Sequence, residues 1–578
     1  MLVVVLTLGL LGRVPGVVGA GTKETPTPKP IGGLTFSDET EVTVVNVDVF
    51  VRDRKGNPVT DLTKEDFRIY QDGVQMPISH FALLTHDIIR HYYRLPVPGR
   101  PEPTPLPEDL KDLEIRPIFM VLYIDNQNIR PLDRNRVLRA VREFVRENLH
   151  PPVKMMVVSY QRSLKIEVPF TDNVREVLSA LRDQRLKTGG RTDKDSTRAE
   201  IVDIMNQALE AERERPTAAS QNAAEIRRAY ELMRAFAGEE ANDLTFSAGA
   251  LRQVIAMLSG LDGRKSIVYI SDGLPMTPGA DLFQQFSAVF QNTSVLSLLA
   301  QFDRSRIFEA LTSAANAQGV SFYTIDAAGL QIQSDISAES RTTTTLTAIT
   351  PGRSVYQDSL KFMAEETGGQ AIVNTNNFSK GLQKIANDLF TYYSLGYTVS
   401  SSGSDRVHYI KVELPDHPKY RVRYRRRYVE KSLETRVQDM VMTSLVFDVD
   451  HNPMFVEVTS GTPAPATSDR WTVPFHISFP LRKVAMLPEG EDQVGRVVLF
   501  VAARDIKGRQ SDLQRQEHEI RIPATEWEEA RRERFGIDVN LLMESGTYNV
   551  AVGLMDVVTR EASYTKTLVR VNPSGRKK

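Results

Sequence analysis

The sequence predicts an α/β protein whose parallel sheet is covered by helices on both faces, flanked by smaller antiparallel β modules. Three observations carry this. From about residue 117 apolar runs of strand length alternate with helical periods, the pattern of a sheet buried on both sides. Ahead of it, Val44, Asn46 and Asp48 alternate with Val45, Val47 and Val49, with turn chemistry at Lys55-Gly56-Asn57-Pro58 and Gln71-Asp72-Gly73, which reads as antiparallel strands. Beyond about residue 440, strand-like runs recur every ten residues or so, as in a β-sandwich.

In chain order, residues 1–20 are apolar up to Arg13 and end in Val18-Gly19-Ala20, which predicts a signal peptide cut after Ala20. Arg13 and Pro15 interrupt the run too early for a membrane span. Residues 21–34 are a Thr/Pro/Lys spacer, 35–92 a small β module, and 93–116 a Pro-rich linker. The α/β domain follows over 117–400. FMVLYID, VKMMVVSY, LKIEVPF, SIVYIS and VSFYTID are its strand candidates. Asp133–Leu149, VREVLSALRDQ and RIFEALTSAANAQG are helices. Residues 199–260, long and charged, and the Ser/Thr-rich 331–353 read as insertions on one rim. A β-hairpin extension (401–432) and a sandwich-like domain (433–578) complete the chain.

Composition narrows the functions. Against 72 Lys and Arg stand 73 Asp and Glu, so no global field draws the chain to nucleic acid. The absence of cysteine removes disulfides, thiolate nucleophiles and Cys-based metal sites together. The sequence also lacks an HExxH pair, a G-x-S-x-G elbow, a phosphate-binding P-loop and a G-x-G-x-x-G fingerprint. Asp448, Asp450 and Asn452 start like a calcium loop, but Pro453 and Thr459 stand where Gly and the bidentate Glu belong, so a turn suffices. Arg421, Arg423, Arg425, Arg426 and Arg427 read as a solvated edge strand that discourages edge pairing. Tyr392, Tyr393 and Tyr397 read as packing.

Five stretches carry a resemblance: VNVDVFVRDRKGNPVTDLTKEDFRIYQDG, GRKSIVYISDGLP, ANAQGVSFYTIDAAGL, ETGGQAIVNTNNF and YYSLGYTV. The chain resembles, over about residues 40–430, a bacterial family of exported proteins, first named from acidobacteria, built around a von Willebrand factor A-like domain. The resemblance implies a doubly wound, Rossmann-like sheet and a metal-ion-dependent adhesion site at the strands' C-terminal ends. That site's pattern is Asp-x-Ser-x-Ser, a later Thr and a later Asp. It falls on Asp125, Gln127, Ile129, Thr192 and Asp272, so the candidate ligands for Mg²⁺ or another divalent cation are Asp125, Gln127, Thr192 and Asp272. Asn126, Asn128, Arg191 and Asp193 would form the ligand-binding rim around them. Mg²⁺ wants oxygen ligands at about 2.0–2.1 Å, and Ile129 offers none. DNQNI is thus either a rebuilt ion site or, the favoured reading, a polar turn that has lost the ion.

The function expected is that of an exported, periplasmic or secreted, non-enzymatic protein that binds a protein partner in the manner of an adhesin, through a degenerate metal site. The alternatives are an extracytoplasmic hydrolase using Asp125, Asp193 and Asp272, and an architectural envelope component without a ligand.

Overall fold

The structure, a computed structural model, describes residues 41–93, 115–214, 219–330, 354–401, 403–449 and 451–571. The expected signal peptide, the spacer, nearly all of the 93–116 linker and the 331–353 stretch lie outside the described residues. The chain divides into two compact units, one of residues 44–398 with 407–429, the other including 399–406 and the residues from 430 onward.

The first unit begins with β1 (Glu41–Arg52), β2 (Arg68–Gln71), β3 (Val74–Met76), β4 (Ile78–Leu84) and the short α1 (His86–Tyr92). Alternation in β1 buries Val45, Val47 and Val49. Asp72 and Gly73, at φ 50° and 86°, make the two-residue turn from β2 to β3, where Gly tolerates a backbone that most side chains resist. Next come β5 (Ile118–Asp125), α2 (Pro131–Asn148), β6 (Val153–Gln161), β7 (Ser163–Thr171), α3 (Val174–Gln184), α4 (Arg191–Glu214) and α5 (Ala219–Met257). They are followed by β8 (Arg264–Ser271), α6 (Ala280–Phe290), α7 (Leu299–Phe302), α8 (Ser305–Ala317), β9 (Val320–Asp326), α9 (Ser354–Glu366), β10 (Ala371–Ile372) and α10 (Phe378–Phe390).

Strands β5 to β10 form one six-stranded sheet in the order β10-β9-β8-β5-β6-β7. β5, β6, β8, β9 and β10 pair in parallel, but β7 runs antiparallel to β6, which corrects the wholly parallel sheet expected from the alternation. Only Arg162, at φ 61°, separates β6 from β7, and one residue cannot make a parallel crossover. Helices cover both faces. Met120, Leu122 and Ile124 share a core with Val137 and Val141 of α2, Leu181 of α3 and Leu382 and Ile385 of α10. On the other face Thr324 donates its hydroxyl to the Leu360 carbonyl of α9 at 2.8 Å, and α8 also packs on β9.

Helices α4 and α5 of the 199–260 segment pack with α6. Ile201 and Met205 of α4, Met233 and Phe236 of α5 and Leu282, Phe283 and Phe286 of α6 build a separate apolar core, and Arg198 donates to the buried Asp281 at 2.6 Å. The 199–260 segment is not wholly an insertion, however. Leu251, Val254 and Ile255 at the end of α5 are buried like any core residue.

β11 (Tyr392–Ser401), β12 (Arg406–Glu413), β13 (Arg421–Arg423) and β14 (Arg427–Glu430) correct the picture of separate modules at either end. They interleave with the N-terminal strands in two sheets, β13-β1-β11-β4 and β14-β12-β2-β3, so residues 44–84 and 407–429 fold together. β13 and β14 are edge strands, and Arg421 on β13 and Arg426 just before β14 are exposed as the arginine run suggests, but two of the arginines turn inward: Arg423 donates to the fully buried Asp388 at 2.6 Å, and Arg425 to the Asn46 carbonyl at 2.9 Å. Tyr392, Tyr393 and Tyr397 are buried, with Tyr393 and Phe67 ring centroids 5.1 Å apart.

The second unit contains α11 (Leu433–Ser444), β15 (Glu457–Ser460), β16 (Ala464–Pro465), β17 (Arg470–Pro480), β18 (Leu487–Glu489), β19 (Asp492–Asp505), β20 (Gln514–Pro523), α12 (Trp527–Ala530), β21 (Arg534–Glu544), β22 (Gly546–Asp556) and β23 (Ala562–Val571). One antiparallel sheet holds β15, β16, β17 and β21, and the other holds β18, β19, β20, β22 and β23. Phe475, Ile477, Val539 and Leu541 of the first share a core with Val497, Leu499, Val550 and Val552 of the second. Val437 and Val441 of α11 cover that second sheet's outer face at Val498, Phe500 and Ala551. In the stretch that began like a calcium loop, Asp448 pairs with Lys566 at 2.7 Å, and Asn452 closes a turn by accepting from the Val456 amide at 2.7 Å.

Candidate functional site

In an open α/β sheet, ligands bind beyond the carboxyl ends of the strands where the strand order reverses, because the flanking loops part there. Here the reversal lies between β5 and β8. Asp125 ends β5 and Asp272 follows β8, so both carboxylates named from the sequence stand at this point.

Asp125 is buried, and three donors use its oxygens. The Asn128 amide reaches Oδ1 at 3.1 Å, while the Asn128 side chain and the Tyr269 hydroxyl reach Oδ2 at 3.0 Å and 2.5 Å. Burial raises its pKa, opposed by these hydrogen bonds and by the nearby Lys194 charge. Asn126–Asn128 form one tight turn. Asn126 donates to Gln184 at 2.9 Å and accepts from the buried Arg134 at 2.8 Å. The Asn128 carbonyl accepts from the Asp272 amide at 2.9 Å, and its side chain accepts from Lys194 Nζ at 3.0 Å. Ile129 is buried in the core.

Asp272 faces elsewhere. Its Oδ2 accepts from the Arg130 amide at 3.0 Å, while Oδ1 is buried without a hydrogen-bond partner. Burial, reinforced by Asp133, pushes its pKa up to about 7 against the pull of Arg191 and Arg130. Arg191, which opens α4, is itself buried, with its guanidinium 4.0 Å over the Tyr356 ring and its Nε 3.2 Å from Asp195.

The loop Thr188-Gly189-Gly190 is pressed against the DNQNI turn. A Cβ on Gly189 would lie 2.3 Å from the Ile129 carbonyl oxygen, and one on Gly190 would lie 2.6 Å from that of Gln127. The Gly190 amide donates to the Asn126 carbonyl at 2.9 Å. We expect Gly190→Ala to cost about 1–3 kcal/mol, the ordinary cost of overpacking. The check is the urea midpoint of the helix signal, and an unchanged midpoint would mean that the two loops separate freely.

Above the two loops lies a cleft of about 710 Å³. Gln127, Thr192, Asp193, Lys194, Glu239 and Asp243 are among its walls. Thr192 and Asp193 are exposed on it. Gln127 turns its side chain to Asp243 at 3.3 Å, and Lys194 pairs with the same carboxylate at 2.9 Å. The buried Glu240 accepts from the Gly279 amide at 3.0 Å.

The structure therefore divides the predicted metal ligands. Asp125 turns to Asn128 and Tyr269, Asp272 to Arg130, and Gln127 and Thr192 to the cleft. These residues do not fit a hard divalent cation, which needs about six converging oxygens. Asp272 Oδ1 is buried without a hydrogen-bond partner, but it does not converge with the oxygens of Asp125, Gln127 and Thr192, and the charges of Lys194 and Arg191 already act on the two carboxylates. Among the described residues no group of three His, Cys, Asp or Glu side chains is placed to hold a metal. Of the proposed rim, Asp193 lines the cleft, while Asn126, Asn128 and Arg191 are buried beneath it. The sequence reading missed Lys194, which is adjacent to Asp193, and Asp243. Asp243 lies more than a hundred residues from Gln127 on a helix read as an insertion, and no local pattern marks it.

No protein-family model matches this chain, and no curated protein does. Solved structures similar to it include an aerotolerance-related membrane protein from Bacteroides fragilis, at 12% identity over 47% of this chain and 98% of that one, with TM-score 0.22. The von Willebrand factor domain of the type V pili tip protein Mfa5 from Porphyromonas gingivalis is 14% identical over 48% of this chain and 96% of that one, with TM-score 0.23. The pilus adhesin SpaC from Lactobacillus rhamnosus GG, in an open conformation, is 7% identical over 80% of this chain and 70% of that one, with TM-score 0.26.

Proposed function

We propose that this is an exported, adhesion-type protein that binds a protein partner through the rim above β5 and β8. On this reading residues 117–400 are a doubly wound von Willebrand factor A-like domain, and the two sheets after residue 433 are a β-sandwich acting as spacer or cap. The observation that carries it is the cleft at the reversal of strand order, walled in part by helices α4 and α5, which with α6 have an apolar core of their own. A rim with its own core holds a binding surface in shape without help from the ligand. Export rests on residues 1–20, whose apolar run and Val18-Gly19-Ala20 ending fit a cleaved leader.

The reading is non-enzymatic and places no metal at the site. A hydrolase would need Asp125, Asp193 and Asp272 to act together. Asp125 is spent on hydrogen bonds, Asp193 is exposed on the cleft, and Asp272 is buried behind Arg130.

The test immobilises the full chain and passes over it the envelope proteins of the producing bacterium. We expect a protein retained by the wild type and by Lys154→Glu, at the opposite end of the sheet, but lost with Thr192→Arg and Asp193→Arg. Equal retention by all four would rule out the rim.

A further inference from the structure

We infer that Lys194 and Arg191 supply from within the chain the positive charge that a bound ion supplies in a metal-dependent site of this layout. The geometry splits that charge between the two carboxylates. Lys194 Nζ reaches Asn128 Oδ1 at 3.0 Å and Asp243 at 2.9 Å, and Asn128 in turn holds both oxygens of Asp125. The ammonium thus lies one side chain from Asp125, whose burial without a compensating charge is costly. Arg191 stands directly after Gly190 and directly before Thr192, the residue matched to the pattern's threonine. Its guanidinium is buried against the Tyr356 ring at 4.0 Å and held by Asp195 at 3.2 Å, and from there its charge opposes the rise of the Asp272 pKa together with that of Arg130.

Two physical facts favour this over an ion. A divalent cation entering here would meet two protein cations at low dielectric, where like charges repel strongly. Lys194 is also well held: its side chain is 14% exposed, with two partners placed by different elements, the DNQNI turn and α5. The consequence for the proposed rim is direct. Partner binding would be indifferent to chelators, and the cleft would present Asp193, Glu239 and Asp243 to the partner rather than an ion seeking the partner's carboxylate.

The inference rests on the rim reading only in that consequence, and a test of charge compensation separates the two. In the full chain, Lys194→Met, Asp125→Asn and the double variant form a cycle followed by the thermal midpoint of the helix signal. Lys194→Met is expected to lower Tm by about 1–2 °C, the shift that about 1 kcal/mol produces in a unit of this size. Adding Asp125→Asn should recover part of that loss, because the uncompensated charge is gone. Wild-type Tm should not move with Mg²⁺, Mn²⁺ or EDTA. Strictly additive losses in the cycle, or a wild-type Tm raised by Mg²⁺ or Mn²⁺, would overturn the inference. Neither outcome depends on whether a partner is retained on the rim, and loss of retention leaves the cycle untouched.

Discussion

Replacing Asp388 by alanine is expected to cost the first unit about 3–5 kcal/mol, the loss typical of a buried ion pair that loses one partner. Asp388 is fully buried on α10. It accepts from Arg52 of β1 and, at 2.6 Å, from Arg423 of β13. Both arginines come from the interleaved β sheets, so this carboxylate fastens the N-terminal strand and the 401–432 extension to the six-stranded domain. Arg264 adds to the same junction, donating to Asp48 at 2.7 Å and to the Leu389 carbonyl at 2.8 Å. Without Asp388 two guanidinium groups lose their carboxylate, that of Arg52 nearly buried and that of Arg423 about three-quarters buried. The chain's two tryptophans, Trp471 and Trp527, both lie in the second unit, whereas α1–α10 lie in the first. The helix signal in urea therefore follows the affected unit, and its midpoint should fall. A midpoint within about 0.5 kcal/mol of wild type would refute the assignment. The triple change Asp388→Leu with Arg52→Met and Arg423→Met should recover most of the loss, because it removes the stranded charges as well.

A second large effect is expected from Asp272 as pH changes. Its folded pKa, pushed up to about 7 by burial, exceeds its ordinary value of 3.8. Between these values the folded chain holds a proton that the unfolded chain has lost, so stability falls as pH rises, by about 1.4 kcal/mol per pH unit. The contribution is full below about pH 4 and gone above about pH 7, a total of about 4 kcal/mol. Asp272→Asn removes the titration but keeps an acceptor for the Arg130 amide. Other carboxylates slope the opposite way, so the measured quantity is the difference in urea midpoint between wild type and variant across this range. The variant should gain steadily on wild type up to neutral pH and hold a constant lead beyond it. A difference independent of pH would show that Asp272 is ionised throughout.

Particular residues show how far local pattern reaches. Helix α3 runs over VREVLSALRDQ, as its period predicts, because Val177, Ala180 and Leu181 form one apolar stripe and Asn173 caps it. VSFYTID is β9 from end to end. The direction of β7 was legible in its own residues but outweighed by the surrounding alternation of strands and helices: Leu164, Ile166 and Val168 alternate with Ser163, Lys165 and Glu167, the half-exposed pattern of an antiparallel strand at a sheet edge. In β13 charge on a strand suggests solvent, which Arg421 meets, and only the arrival of Asp388 from α10 accounts for the partial burial of Arg423.

Local residues alone account for the order of strands and helices, the turn at Asp72-Gly73, the absence of cysteine chemistry and the placing of Asp125 and Asp272 after apolar strands. These follow from periodicity, backbone preference and composition, which act over a few neighbouring residues. The tertiary structure alone settles that residues 44–84 and 407–429 share sheets, that α4, α5 and α6 share a core, and that Lys194 and Asp243 of the cleft wall meet over Asn128. Each of these joins residues tens to hundreds of positions apart. What brings them together is burial of apolar surface and pairing of buried charge across the folded chain, and neither leaves a mark within one stretch of sequence.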